Sequence, residues 1–210
     1  MRLTLPVLRR TAPRGDGGPV MVVPGFATDD DWTTSLRRFL ADIGHDVHGW
    51  GLGRNHGRVA DLIPKLMDRT ARLAETAGRR VRLVGWSLGG YLVRETARER
   101  PELVERVVTL GAPVVGGPKY TASAPMYRKK GYDLDAIEAD VDAREAAPIT
   151  VPVDAVYSRS DGVVAWRACI DRMTPGVHHH EVGSSHLGLV ASPGVFRLVA
   201  ELLAEHPREA

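Results

Sequence analysis

Short, wholly apolar runs alternate along this chain with longer segments whose apolar residues recur every three or four positions. Val20 to Val23, held between Pro19 and Pro24-Gly25, reads as a strand buried on both faces. Leu36, Phe39, Leu40 and Ile43 fall at helical spacing, and Gly44 ends that helix. His45 to Trp50 is a second short strand, followed by the glycine-rich stretch Gly51 to Gly57. A helix from about Ala60 to Ala77 carries Leu62, Leu66, Leu73 and Ala77 on one face and stops at Gly78. Pro64 is tolerated best in a first turn, so a later start for that helix is expected.

The pattern continues with a strand at Val81–Val84, a helix from Leu88 to about Arg98 closed by Pro101, and a strand at Arg106–Leu110. Gly111 to Thr150 contains no strong strand, only a short helix over Leu134 to Arg144. Strands at Val151–Tyr157 and Val177–Val182 and a helix at Pro193–Ala204 complete the chain. Strands that alternate with helical crossovers of this length predict one α/β domain over residues 1–210. Its sheet is mostly parallel and six-stranded, with helices on both faces.

Composition narrows the class without naming it. The chain has 210 residues, 43% hydrophobic and 26% charged, which excludes disorder. Basic and acidic residues number 28 and 26, a balance that does not suggest a nucleic-acid partner. No apolar run reaches the roughly 20 residues that span a bilayer, and Met1 to Gly15 lack the apolar core of a signal peptide. A cytoplasmic protein is expected. The lone Cys169 excludes a disulfide framework and a multi-cysteine zinc site; on a predicted helix it reads as a small buried hydrophobe.

In a parallel sheet, ligands bind beyond the carboxyl ends of the strands, so the loops there carry the chemistry. The third strand runs into Gly85-Trp86-Ser87-Leu88-Gly89-Gly90. A serine with glycine two before and two after it, between strand and helix, forms a sharp turn. Side chains at 85 and 89 would collide there, and the serine hydroxyl projects at a helix N-terminus. A serine needs a base, and the base needs an orienting acid. Asp161 follows the fifth strand; Asp154 lies within the strand pattern, and Asp171 on the helix expected next. His186 follows the sixth strand. Ser87, Asp161 and His186 thus stand in the order Ser, Asp, His, each on its own loop. The backbone N–H groups of Leu88 and Phe26 are the expected donors to a developing oxyanion.

These motifs, Pro24-Gly25-Phe26, Gly85 to Gly90, Ser160-Asp161-Gly162 and Ser185-His186-Leu187-Gly188, resemble the α/β-hydrolase superfamily. Within it they are most like the small bacterial lipase and esterase-like members without a large cap. The resemblance runs from about Val20 to Leu203. It implies Ser87 as nucleophile, His186 as general base, Asp161 as its orienter, no cofactor and no metal, and a small-molecule ester as substrate. The chain departs from many relatives in having Pro24-Gly25 where they have His-Gly. Arg2 to Leu8 leaves at most a vestige of their N-terminal hairpin. Ester hydrolysis, acyl transfer by the same triad and a non-catalytic binding role all remain open.

Other signals are weaker. A dinucleotide loop lacks its third glycine, whose place falls on Arg54 or His56. Arg54 and Asn55 lie on the active edge, as substrate contacts or as braces of the loop. His178-His179-His180 on one strand point to alternate faces and cannot easily meet one ion. The segment 111–150 sits where a lid would, with Tyr120, Met126, Tyr127, Leu134 and Ile137 available as an apolar wall. Aromatics are only 6%, yet four are tryptophan. Trp32, Trp50, Trp86 and Trp166 each follow a different strand, so with Leu187 they are the expected lining of an apolar acyl pocket.

Overall fold

The computed structural model of the protein describes residues 5–204. Six strands, β1 (Pro19–Val23), β2 (Asp46–Gly49), β3 (Val81–Trp86), β4 (Val104–Leu110), β5 (Val153–Tyr157) and β6 (His178–Glu181), form one all-parallel sheet in the order β2-β1-β3-β4-β5-β6. The chain leaves β1 towards β2 and returns on the other side to β3. The crevice beyond the ends of β1 and β3 is therefore the topological switch point, where such sheets bind ligands.

Period-two alternation divides the strand residues between two cores. Val20, Val22, Val84, Trp86, Val108 and Val156 face the helices α1 (Leu5–Thr11), α2 (Thr34–Asp42) and α7 (Pro193–Ala204), meeting Leu8, Phe39 and Phe196. Met21, Val23, Leu83, Val107 and Val153 face α3 (Val59–Ala77) and α4 (Leu88–Glu99), meeting Leu62, Leu66, Leu92 and Val93. The six-stranded α/β architecture expected from the pattern is the one observed.

Several local expectations are corrected. α3 does not wait for Pro64; it starts at Val59 and carries the proline in its interior. The proline forfeits one backbone hydrogen bond, while buried Leu62, Ile63 and Leu66 around it hold the turn in place. Of the expected hairpin remnant, residues 2–4 lie outside the described residues and Leu5 onward is helix α1, which seats Leu8 in the first core. The helix expected to carry Cys169 and Asp171 shrinks to a 3-10 turn, Trp166–Cys169. The Asp171 carboxylate instead accepts the backbone N–H groups of Met173 and Thr174, a local turn that competes with helix.

Between β4 and β5 the chain forms two helices, α5 (Ala124–Lys129) and α6 (Leu134–Glu145). Only Leu134 and Val141 of α6 are buried, so an apolar stripe does not suffice to dock it. Ion pairs dock its last turn on α4: Arg144 to Glu95 at 3.2 Å, and Glu145 to Arg98 at 3.0 Å and Arg94 at 3.2 Å. Arg94 also reaches Asp171 at 2.6 Å. Burial raises the Asp171 carboxyl, but the Arg94 charge and the hydrogen bonds of Thr174 and Met173 outweigh it and lower the pKa to about 2. A depressed folded pKa contributes stability above the unfolded value, and that contribution is lost as pH falls from about 4 towards 2. Asp171→Asn should therefore cost about 3 kcal/mol at neutral pH, because it removes the nearer of the two carboxylates that neutralise the buried Arg94 and leaves Glu145 shared with Arg98. In urea unfolding the gap to the native protein should narrow steadily below about pH 4; a gap independent of pH would refute the assignment.

Candidate active site

Ser87 is the single residue between β3 and α4, with φ 55° and ψ −124°. Among the described residues only Ala27, at φ 61°, is a second non-glycine with positive φ, and it follows Phe26 on the neighbouring loop. Strained backbone thus concentrates at the switch point. The flanking glycines are steric necessities. A Cβ at 85 would run into the backbone of Gly89 and Gly90, and one at 89 into the carbonyls of Val23 and Pro24. The Ser87 amide donates to the Leu110 carbonyl at 2.9 Å, which ties the turn to β4.

Asp161 and His186 meet beside this turn. Asp161 Oδ2 lies 2.7 Å from His186 Nδ1, and both residues are buried. The other carboxylate oxygen, Oδ1, accepts the backbone N–H groups of Val163 at 2.9 Å and Val164 at 2.6 Å. The His186 amide donates to the Asp161 carbonyl at 2.9 Å, so the two loops are joined by backbone as well as side chain. With the Nδ1 proton directed at Asp161, the lone pair of a neutral imidazole lies on Nε2. The Trp86 ring packs against the His186 ring at 5.2 Å, and its indole N–H donates to the His186 carbonyl at 3.1 Å. The His186 ring is hydrogen-bonded to Asp161, and no hydrogen bond joins Ser87 Oγ to His186 Nε2. Asp154 faces away from this group and bonds His180 at 2.9 Å, while Asp171 is committed to Arg94.

Among the described residues the Phe26 and Leu88 amides have no acceptor, which leaves both open to a ligand. The loop that carries Phe26 is braced by buried Asn55. Its side-chain amide donates to the Pro24 carbonyl at 2.9 Å, its Oδ1 accepts from the Gly57 amide at 3.2 Å, and its carbonyl accepts from the Ala27 amide at 2.7 Å. Arg54 Nε donates to the Ala27 carbonyl at 2.8 Å. Both residues therefore brace the loop. Asn55→Ala should destabilise the fold by about 1–3 kcal/mol, because it leaves buried backbone groups unpaired. Urea unfolding reads this directly; no change would mean that water replaces the brace.

A cavity of about 420 Å³ opens from Ser87 and Leu88 towards α5 and α6. Phe26, Tyr91, Tyr127, Ile137 and Val141 form most of its apolar wall. The four tryptophans and Leu187 do not line it. Trp50 is fully buried in the α3-side core, with its indole N–H on the Gly53 carbonyl. Trp86 supports His186 from the opposite core; Trp32 is half exposed and stacks on Trp86 at 6.3 Å. Trp166 stacks on Tyr157 beneath Arg159 and Arg167, and Leu187 is exposed. Of the wall anticipated in 111–150, Tyr127 and Ile137 line the cavity, Leu134 is buried behind Tyr127 without lining it, and Tyr120 and Met126 are exposed.

Three features were missed in the sequence. Gly111, directly after β4, sits against the Asp161–His186 pair; a Cβ there would lie 3.0 Å from Asp161 Oδ2 and 3.3 Å from His186 Nδ1. A glycine at a strand's carboxyl end was its available signal. Tyr91 lies four residues beyond Ser87, on the same side of the helix, a spacing that could have singled it out. Gly57 has no sequence signal beyond that of a loop glycine, yet a Cβ there would strike the Phe26 ring at 2.7 Å. Cys169 is buried, and burial first, then the nearby Asp161 charge, pushes its thiol up to about 12, which makes it inert. The three histidines diverge: His178 is exposed, His179 accepts the Asp171 amide, and His180 bonds Asp154.

The parallel sheet order, the turn at Ser87 and the loops of Asp161 and His186 at one sheet edge define an α/β-hydrolase fold. The solved structures to which the chain is similar carry the same fold at low identity. Bacillus licheniformis lipase BlEst2 is 15% identical, with 92% of this chain and 94% of that one aligned at a TM-score of 0.70. A structure from the metagenome-derived lipolytic enzymes LipS and LipT is 14% identical over 93% and 96% of the chains, at 0.69. Paleococcus ferrophilus monoacylglycerol lipase is 16% identical over 91% and 96%, at 0.65. No protein-family profile and no curated protein sequence matches the chain. Among the described residues no helix is long and apolar enough to cross a membrane.

Proposed function

We propose that the protein is a serine hydrolase that cleaves carboxylic esters with an apolar or small acyl group through an acyl-enzyme. The observation that carries this reading is the Asp161–His186 hydrogen bond of 2.7 Å beside a strained serine at a helix N-terminus that opens onto a cavity. Ser87 Oγ attacks the ester carbonyl as its proton passes to His186 Nε2. Asp161 keeps the Nδ1 proton in place and stabilises the imidazolium that results. The tetrahedral oxyanion accepts hydrogen bonds from the Phe26 and Leu88 amides, each worth about 10²–10³ in turnover by comparison with other oxyanion holes. His186 then gives its proton to the leaving alkoxide, and the alcohol departs. Water, deprotonated by His186, releases the acid and restores Ser87. This sequence of steps requires no cofactor or metal.

The catalytic bond from Ser87 to His186 forms when substrate is seated, as hydrogen bonds between nucleophile and base commonly tighten at that stage. The segment 111–150, with α5 and α6 over the cavity, acts as a partial cap. The lipases and lipolytic enzymes among the structural neighbours are in keeping with an ester substrate. A fluorophosphonate should label one site per chain, and peptide mapping should place the adduct on Ser87. A folded protein that resists labelling would overturn the reading in favour of a non-catalytic binding role.

A further inference from the structure

Among the polar groups of the cavity wall that ester cleavage does not use, two are buried phenols. Tyr91 on α4 and Tyr127 on α5 both line it and are only 6% and 4% exposed. Neither hydroxyl has a hydrogen-bond partner among the described residues, and neither is sealed off from solvent-accessible space. Elsewhere the chain pairs its phenols: Tyr120 donates to Glu138 at 2.7 Å and Tyr157 to Glu181 at 3.1 Å, although both bonds lie at the exposed surface. Tyr91 and Tyr127 therefore each present a free donor to one cavity, where water meets them in the absence of substrate and a ligand oxygen can take its place. Burial, with the Glu95 charge near Tyr91 and Tyr132 near Tyr127, holds both well above the ordinary phenol range, so both remain neutral donors.

The position of His186 indicates which half of the substrate enters the cavity. His186 must protonate the leaving oxygen, yet neither His186 nor Asp161 borders the cavity. The alcohol half therefore lies on the His186 side of Ser87, and the acyl half lies under α5 and α6. The charge balance bears on which oxygen is bound. Arg144 borders the cavity but is bonded to Glu95 and Glu99. Around it Arg94 and Arg98 are matched by Glu145 and Asp171, while Asp61 and Asp140 also face the cavity. Arg58, which also borders the cavity, pairs with Asp61 at 3.1 Å, so among the described residues that line the cavity each positive charge already has a carboxylate partner.

Resting on the reading of Ser87 as nucleophile, we propose that the preferred acyl group carries a neutral oxygen, a ketone or hydroxyl along its chain, bound by the Tyr91 and Tyr127 hydroxyls. A site built to hydrogen-bond such an oxygen discriminates strongly against the analogue that lacks it. The test compares p-nitrophenyl octanoate with a series of p-nitrophenyl oxo-octanoates differing in ketone position, and with the ester whose chain ends in a carboxylate. The best-placed ketone should exceed plain octanoate by at least about 10-fold in kcat/KM, and Tyr91→Phe and Tyr127→Phe should each reduce that ratio about 5-fold. A ratio near one across the series, a ratio that survives in the double variant, or a preference for the carboxylate would overturn the proposal. Calorimetric binding of the corresponding stable amides reads the same preference without turnover. Amides bound with the preference but esters left uncleaved would count against hydrolysis at Ser87 while supporting the oxygen site. Amides bound without preference would overturn the oxygen site alone.

Discussion

Replacing Asp161 with asparagine should lower kcat by about 10⁴-fold while leaving the fold and the cavity intact, by analogy with the same exchange in another Ser-His-Asp triad. The hydrogen bonds of the site explain why so small a change should matter. Oδ1 of Asp161 accepts two backbone amides, from Val163 and Val164, and Oδ2 accepts the Nδ1 proton of His186. An asparagine must keep its carbonyl oxygen towards the two amides, because an NH₂ group cannot accept from them. Its NH₂ is then fixed towards His186, where it donates to Nδ1. The imidazole is forced into the tautomer with hydrogen on Nε2, the nitrogen that must take the proton of Ser87. The ring stays in place and its chemistry is inverted. Steady-state rates on a p-nitrophenyl ester, with a far-ultraviolet spectrum to verify folding, check this. A loss below about tenfold would remove Asp161 from the mechanism and, with it, the reason for its buried bond to His186.

The sheet and this pair were legible in the sequence for related reasons. Strands such as Val20 to Val23 are wholly apolar because helices cover both faces, and Gly85 and Gly89 are fixed by backbone contact, not by chemistry. Asp161 and His186 could be placed because each follows its own strand at the carboxyl edge. The pocket lining is not legible in the sequence, because strand-end position says nothing of side-chain direction. Trp86 is the last residue of β3, and alternation turns it with Val84 towards α2 and α7, whereas the cavity lies on the α4 side with Leu88, Tyr91 and Val141. The actual wall includes Tyr127 on α5, a helix of six residues, too short to carry a period. α6 was foreseen, but what seats it against α4 is a set of ion pairs between residues some fifty positions apart, which no local pattern records.

Gly111 makes a sharper test of the geometry, because no reading of charge or hydrogen-bonding capacity would single it out. It follows β4 with φ +58°, and its amide is anchored to the Val156 carbonyl at 2.8 Å. An added Cβ would lie 2.5 Å from Leu189 Cδ1, the movable end of a side chain. It would also lie 3.0 Å and 3.3 Å from Asp161 Oδ2 and His186 Nδ1, which cannot retreat without stretching their own bond. Gly111→Ala should therefore lower kcat by about 100-fold, since displacements of about 1 Å in a catalytic group cost on that order. KM should change little, because Gly111 does not border the cavity. The positive φ adds a backbone cost of about 1–2 kcal/mol, which Gly111→Ala shares with any alanine placed there. Gly78→Ala separates the two effects. Gly78 ends α3 at φ +63° with nothing within 4 Å of an added Cβ, far from Ser87. It should lose similar stability and keep its full rate. Equal rates in the two variants would mean that the Asp161–His186 pair tolerates displacement, and that its position is not what sets turnover.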